Sequence, residues 1–240
     1  MTVGELKDRR ARKKAQTREL IRSVAQRMFD ERGFDAVTIA DIAREADVAV
    51  QTVFNHFAIK EELFFAGRTQ WVDGPADAVL SRDPSLSPLT ALREHLVEAV
   101  AARVGSHRCP DRRRYLATLE ASDALRAYER ELVHQAETKL RAALLDTWSA
   151  DEATAPPDPE SAALLVAAVW MATSRSLIVG HRPSLHRGAD PDRTAADAMA
   201  TADRVLGEME RGAFTVHAGA DRPRVARTDT GWPQDVRRAG

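Results

Sequence analysis

Residues 36–63 read AVTIADIAREADVAVQTVFNHFAIKEEL, and this stretch decides the fold. Thr38 and Asp41 have the spacing of a helix N-cap and its capping-box partner, in which side chain and backbone bond each other reciprocally. A short helix is therefore predicted over residues 39–46. It is preceded by a longer amphipathic segment, residues 15–32, with apolar side chains at helical spacing.

A second short helix is predicted over residues 50–57, after a tight turn at Asp47, a residue type that tolerates left-handed backbone. Two short helices joined by such a turn form a helix-turn-helix. Val53 and Phe57 are four residues apart and face inward. The outward set is small or amide-bearing, as suits a helix that reads the major groove, and consists of Ala49, Val50, Gln51 and Asn55.

The N-terminal residues 1–22 carry eight basic and three acidic side chains, a local balance of +5 in a chain of net charge -1. Basic clusters attract nucleic acid through phosphate neutralisation and counterion release. Taken alone, such a run equally fits a solvated arm without a partner. Its position directly before a helix-turn-helix favours DNA.

The same stretch resembles the DNA-binding domain of the tetracycline-repressor (TetR) family over about residues 13–65. The resemblance rests on the Thr that opens the second helix, on Thr-Val-Phe-Asn-His-Phe at 52–57 and on Lys-Glu-Glu-Leu at 60–63. It implies a double-stranded DNA operator as partner. The side chains placed along the DNA backbone are Thr38, Thr52, Phe54, His56 and Lys60, and those placed nearest the bases are Ala49, Val50, Gln51 and Asn55.

Four positions depart from the family pattern. Ala49 and Ile59 stand where a capping side chain is usual, and Phe54 replaces a usual tyrosine and its hydroxyl. A lost cap costs about 1 kcal/mol. Gln51 replaces a usual Gly or Ala and adds an amide able to read a base.

The rest of the chain reads as helix, so the predicted fold class is all-α. We expect a basic flexible arm at 1–12, the helix-turn-helix domain at 13–60, a helical effector-binding and dimerisation domain at 61–212 and a flexible tail at 213–240. Long helices are predicted over 124–148, 162–179 and 194–212, and one further helix runs from Lys60 past Trp71. Breaks are expected near residues 74–75, 83–88, 105–111, 151–159 and 182–192.

The resemblance implies a homodimer whose interface is formed by the last two helices, about residues 160–181 and 193–212. Both helices could instead close the core of a single chain. A dimer also suits the task, because one short helix reads few bases and a two-fold pair doubles the site.

The resemblance also implies a pocket for an unidentified small-molecule effector, between helix four and the long helices of the body. Its candidate lining residues are Phe65, Trp71, Trp170, Met171 and Arg175. Aromatic and Met side chains fill ordinary cores as well, and Arg175 could pair with an anionic ligand or with a core carboxylate.

No catalytic, metal or cofactor motif is found in the sequence. The single cysteine, Cys109, excludes an internal disulfide, and the histidines near it and near residue 186 have no recognised ligand spacing. The longest apolar run, residues 162–172, is shorter than a membrane span needs. We therefore expect a cytoplasmic protein without enzymatic activity and without a membrane partner.

Together these features predict a homodimeric DNA-binding transcription regulator. It would act as a repressor that binds a palindromic operator and is released by a small effector. The alternative is a ligand- or protein-binding module that keeps the fold but has a vestigial DNA head.

Overall fold

The computed structural model describes residues 3–150 and 155–215, and every long regular element in this part of the chain is an α-helix. The predicted all-α class is confirmed. The helices are α1 (Val3–Arg32), α2 (Ile39–Glu45), α3 (Val50–Phe54), α4 (Lys60–Phe65), α5 (Gln70–Leu80), α6 (Pro88–Gly105), α7 (Pro110–Ala121), α8 (Asp123–Ala150), α9 (Pro159–Ile178), α10 (Arg182–His186) and α11 (Pro191–Thr215), with one 3-10 turn at Ser106–Arg108.

Helices α1 to α4 form the head of the molecule, whose core is aromatic. The rings of Phe29 and Phe34 lie 5.1 Å apart, and Phe64 of α4 packs 6.2 Å from the first and 6.0 Å from the second. Gln26, buried on α1, donates to the carbonyl oxygen of Ala66 at 2.8 Å and so satisfies the end of α4. The head is therefore packed around α1.

The basic N-terminal segment is helical from Val3 onward and continues into α1. This differs from the flexible arm expected over residues 1–12. The reason is local, because residues 5–32 contain neither Gly nor Pro and are rich in Arg, Lys, Glu and Ala, which favour helix.

The helix predicted from Lys60 past Trp71 is two helices, α4 and α5. The chain breaks between them, and the break predicted at residues 74–75 is wrong. The chain turns at Gly67, whose φ of 73° is a left-handed conformation that glycine adopts without strain. Pro75 instead lies inside α5, where it is buried together with Val79. Packing of α5 against α8 outweighs the hydrogen bond that the proline removes.

The body is a bundle in which α5 and α9 pack on α8, and α11 packs on α6. The apolar side chains at helical spacing on α6 are buried, and they comprise Leu89, Leu92, Leu96 and Val100. Arg93 of α6 bonds Asp203 of α11 at 2.6 Å. The residues expected to break the chain at 182–192 include the short helix α10.

The last two long helices use their apolar faces differently from each other. Ala195, Ala198, Ala202 and Leu206 of α11 are buried within the chain, where α11 packs on α6. Residues 162–179 are apolar on nearly every side, which predicts a helix buried all round, but Leu165 of α9 is 63% exposed and Leu164 and Val169 are exposed beside it. The outer face of α9 is therefore an uncovered apolar surface.

Within the described residues, the helical stretch Pro159–His186 is long and apolar enough to cross a membrane, and 33% of its most apolar window is buried. The sequence expectation that no segment reaches this length is corrected, because helix continues past Ala172. By length and composition alone the core helix of a soluble protein passes the same test. Most of the predicted tail, 213–240, lies outside the described residues.

Candidate nucleic-acid interface and adjoining cavity

The exposed surface of α3 carries the side chains expected to read DNA. Val50, Gln51, Phe54 and Asn55 are exposed, while Val53 is buried under them. The amide of Gln51 donates to the side-chain oxygen of Asn55 at 3.2 Å, so the two amides form one polar patch one helical turn long. The helix ends at Phe54, three residues earlier than predicted.

The capping box that opens α2 is present as predicted. The hydroxyl of Thr38 accepts from the backbone N–H of Asp41 at 3.1 Å and donates to its carboxylate at 2.6 Å. These bonds lower the pKa of the Asp41 carboxyl. Asp47 has φ 51°, the left-handed conformation expected for the turn.

The helices α3 and α4 lack side-chain N-caps, as the residues Ala49 and Ile59 imply. At α4 the loss is partly compensated, because the carboxylate of Glu62 accepts from the backbone N–H of Ala58 at 2.8 Å. The bond goes to the residue before the N-cap, whereas a capping box would use the N–H of Ile59 itself.

Helix α1 braces the recognition helix through Arg18. Its guanidinium lies 4.0 Å from the ring centroid of Phe57 and donates to the carbonyl oxygen of His56. Burial, together with Lys14 and Arg18, lowers the pKa of His56, whose Nδ1 is buried without a partner in the described structure. Arg18 was counted in the basic cluster, but its bracing role was not predicted.

The side chains of Lys60 and Thr52 are less exposed than the predicted DNA contacts on the outer face of α3. The ammonium of Lys60 lies 4.1 Å from the ring centroid of Phe34, and burial lowers its pKa. Thr52 is half-buried. A phosphate contact by Lys60 therefore requires its side chain to leave that ring, and the contact stays a prediction.

A cavity of about 940 Å³ opens in the body among α5, α6, α7, α8 and α9. Four of the five predicted pocket residues line it, namely Trp71, Trp170, Met171 and Arg175. Phe65 does not, since it is buried against Tyr128, with the two ring centroids 5.4 Å apart. The cavity lies where the resemblance led us to expect an effector pocket.

Other cavity side chains were missed, above all Arg103, Arg112 and Tyr115. A signal for Arg103 exists in the sequence, because it lies three residues after Val100 and seven after Leu96 on the inward stripe of α6. Arg112 belongs to a run of three arginines that is typical of a solvated surface.

The cavity wall touches the core of the head. Tyr115 stacks on Phe64 with ring centroids 4.8 Å apart and an angle of 11° between the planes. The guanidinium of Arg68, another lining residue, lies 4.7 Å from the centroid of Tyr115. A second link is the hydroxyl of Ser122, which donates to the carboxylate of Asp35 at 3.0 Å.

Within residues 3–150 and 155–215, no group of three or more His, Cys, Asp and Glu side chains has the arrangement of a metal site. Cys109 is exposed. His107 and His186 approach each other, with ring centroids 6.4 Å apart, but His186 pairs with Glu120 at 3.3 Å.

Comparison with known proteins identifies the head. Residues 21–66 match the family described as bacterial regulatory proteins, tetR family. No curated protein is similar enough to the whole chain to count as a match.

Solved structures extend the comparison to the body. SmeT, in its complex with triclosan, is 21% identical, with 79% of this chain and 91% of SmeT covered and a TM-score of 0.50. A TetR-type protein from Mesorhizobium loti is 17% identical, with 83% and 97% covered and a TM-score of 0.51. NalD, the secondary repressor of the MexAB-OprM multidrug efflux pump in Pseudomonas aeruginosa, is 25% identical, with 79% and 95% covered and a TM-score of 0.48.

The first two likenesses concern the fold, head and body together. The family match coincides with the helix-turn-helix and with the aromatic core that supports it. Residues 21–66 therefore form a DNA-binding domain of the kind found in the tetR family of bacterial regulatory proteins.

Proposed function

We propose that this protein is a cytoplasmic repressor that binds a palindromic operator as a homodimer and leaves it when a small molecule enters the body cavity. The observation that carries the proposal is the stack of Tyr115 on Phe64, because it joins the cavity wall to the core of the DNA-binding head.

The surface of α3 supports the assignment of DNA contacts. Exposed Val50 suits the methyl group of thymine, and the amides of Gln51 and Asn55 suit the donor and acceptor edge of adenine. The basic side chains of α1 adjoin this surface, since Arg18 contacts both His56 and Phe57. Their charge would position the head on the phosphate backbone.

The uncovered face of α9 supports a homodimer. Leu164, Leu165 and Val169 form an apolar patch on a helix whose other side is packed in the body, and Val205 on α11 is also exposed. An exposed apolar patch of this kind marks an interaction site in a soluble protein. A two-fold dimer formed through this face would carry two copies of α3, one for each half of a palindromic site.

Effector release needs two states of the dimer that the ligand distinguishes. A ligand that moved Tyr115 or Arg68 would disturb Phe64, which anchors α4 against Phe29 and Phe34. The spacing of the two recognition helices would change with the position of α4. SmeT, described in complex with triclosan, has the same fold.

The proposal is tested by selecting bound sequences from a random duplex pool with the purified protein, using Thr52→Ala as control. We expect a palindromic sequence with half-sites about 34–36 Å apart, which the control fails to bind. If the protein enriches no sequence even at low salt, the head does not read DNA. The role of the chain would then be to bind a ligand or protein through its body.

A further inference from the structure

The cavity lining has a strong excess of positive charge. It contains seven arginines and three glutamates, an excess of four positive formal charges. The arginines are Arg68, Arg103, Arg112, Arg126, Arg130, Arg175 and Arg182. Two of the glutamates are engaged, since Glu129 binds Arg182 at 2.9 Å and Glu120 pairs with His186.

Two of these arginines are sheltered in the cavity without an acidic partner. Among the described residues, the guanidinium groups of Arg103 and Arg112 form neither an ion pair nor a hydrogen bond, and the Nε of Arg112 is buried. Burial, together with the neighbouring Arg112, lowers the pKa of Arg103 to about 10, so that both side chains remain charged at neutral pH. A sheltered cation without a counterion is unfavourable, and a bound anion would relieve it.

Flat apolar surfaces lie beside the same two arginines. The guanidinium of Arg112 lies 4.8 Å from the ring centroid of Tyr115, and that of Arg103 lies 5.7 Å from the ring centroid of Trp71. Trp170 forms a further wall, with its indole N–H already donating to the carbonyl oxygen of Leu92 at 3.1 Å. The walls thus combine aromatic side chains with arginine donors.

We propose that the cavity binds an anionic small molecule with a flat apolar body, whose acidic group lies between Arg103 and Arg112. A carboxylate, sulfonate or phosphate would each meet the planar fork of a guanidinium, and the apolar body would lie along Trp71, Tyr115 and Trp170. The volume of about 940 Å³ accommodates a molecule of drug size. This inference rests on the proposed function, because it names the chemical class of the effector.

A cationic ligand is disfavoured by the same residues. It would add positive charge next to Arg103, whose pKa Arg112 and Arg182 already lower, and next to Arg112, whose pKa Arg182 and Arg68 lower. Glu129 is the carboxylate that acts electrostatically on Arg103 and Arg112. Both of its oxygens already accept hydrogen bonds from Arg182. A neutral ligand would leave the two sheltered cations unpaired.

Two fluorescent probes that share one aromatic skeleton separate charge from apolar contact. They are 8-anilinonaphthalene-1-sulfonate and its neutral counterpart N-phenyl-1-naphthylamine, titrated into the full chain by fluorescence. We expect the sulfonate to bind more tightly than the neutral probe. Arg103→Gln and Arg112→Gln should each weaken the sulfonate about ten- to hundred-fold and change the neutral probe less than about two-fold.

Arg141→Gln is the matched control, because Arg141 is an exposed arginine of α8 outside the cavity. It should leave the affinity of both probes unchanged. Arg103 and Arg112 are tested in separate variants, and a circular dichroism melt shows whether each variant is folded. One folded variant is sufficient to test the proposal. Equal affinity of wild type for both probes, or unchanged sulfonate binding in the folded variant, would overturn the proposal.

The failure of this inference differs from a failure of the proposed function. If the duplex pool yields an operator but the two probes bind alike, the regulator stands and the anionic effector is wrong. If no operator is found but the sulfonate depends on Arg103 and Arg112, the anion site stands and the regulatory role is wrong.

Discussion

Gln51 lies at the centre of the exposed face of α3, and its amide is bonded to that of Asn55 at 3.2 Å. An amide pair presents both donor and acceptor groups, which is what discrimination of an adenine requires. Gln51→Ala should therefore change the preferred base at one position of each half-site, with a loss of about 1–3 kcal/mol for the original base.

The measurement is binding of the selected operator and its single-base variants. Arg12→Ala serves as control, because Arg12 is an exposed cation of α1. It should weaken all sequences alike and reduce the salt dependence of binding by about one unit of slope. A uniform loss with Gln51→Ala would contradict base reading by this residue.

His107 is a buried titratable residue whose protonation the fold opposes. It is 5% exposed, its Nδ1 lies 3.2 Å from the carbonyl oxygen of Val104, and its Nε2 is buried without a partner in the described structure. Burial lowers the pKa of its imidazole. The unfolded chain therefore takes up this proton at a higher pH than the folded chain does.

The contribution of His107 to the free energy of unfolding should be complete above the ordinary histidine pKa of about 6.5. It should be lost as the pH falls from there through the lowered pKa of the folded state. His107→Asn keeps a donor for the carbonyl group and removes the titration, so it should make the decline between pH 7.5 and 5.5 shallower. Urea unfolding at the two pH values measures this. His134→Asn, at an exposed histidine, should leave the decline as in wild type.

At the scale of single elements, α4 shows how a helix start is held without its usual cap. Ile59 is exposed and supplies no side-chain bond, and Glu62 bonds the N–H of Ala58 instead. Ile59→Ser should supply the missing side-chain cap and raise the free energy of unfolding by about 1 kcal/mol. Glu62→Ala should lower it by about the same amount.

Thermal and urea unfolding of both variants give the comparison. Glu61→Ala is the control, because Glu61 lies in the same first turn without a hydrogen bond in the described structure. If Glu62→Ala and Glu61→Ala behave alike, the bond from Ala58 contributes nothing measurable and general charge effects at the helix start explain both.

Elements with local signals could be predicted from the sequence, and those decided by packing could not. The capping box of Thr38 and Asp41 is fixed by neighbours three residues apart, and α2 begins where predicted. Pro75 signals a break, but its burial against α8, far along the chain, keeps it inside α5. Only tertiary contacts determine that outcome.

At the scale of the whole molecule, one part of the candidate site could be predicted from the sequence and the other could not. The residues of α3 follow one another in sequence, so their common exposed surface could be predicted. The cavity is assembled from five helices, and Arg103 and Arg112 meet Tyr115 there only through the packing of α6 and α7. The spacing of these residues along the sequence does not predict that arrangement.

The proposed homodimer depends on which apolar faces remain uncovered. Ala202 on α11 is fully buried within the chain, so a charge at this position would damage the monomer itself. Leu165 is 63% exposed and lies on the outer face of α9. Leu165→Arg should therefore yield folded monomers in sedimentation velocity, with an unchanged circular dichroism spectrum.

Leu80→Arg is the matched control, since Leu80 is 58% exposed at the end of α5, away from that face. It should leave the dimer intact. Monomers of Leu165→Arg should also lose operator affinity, because one recognition helix alone reads only half of a two-fold site. A dimer that persists in Leu165→Arg would place the interface elsewhere, and the exposed apolar face of α9 would then need another partner.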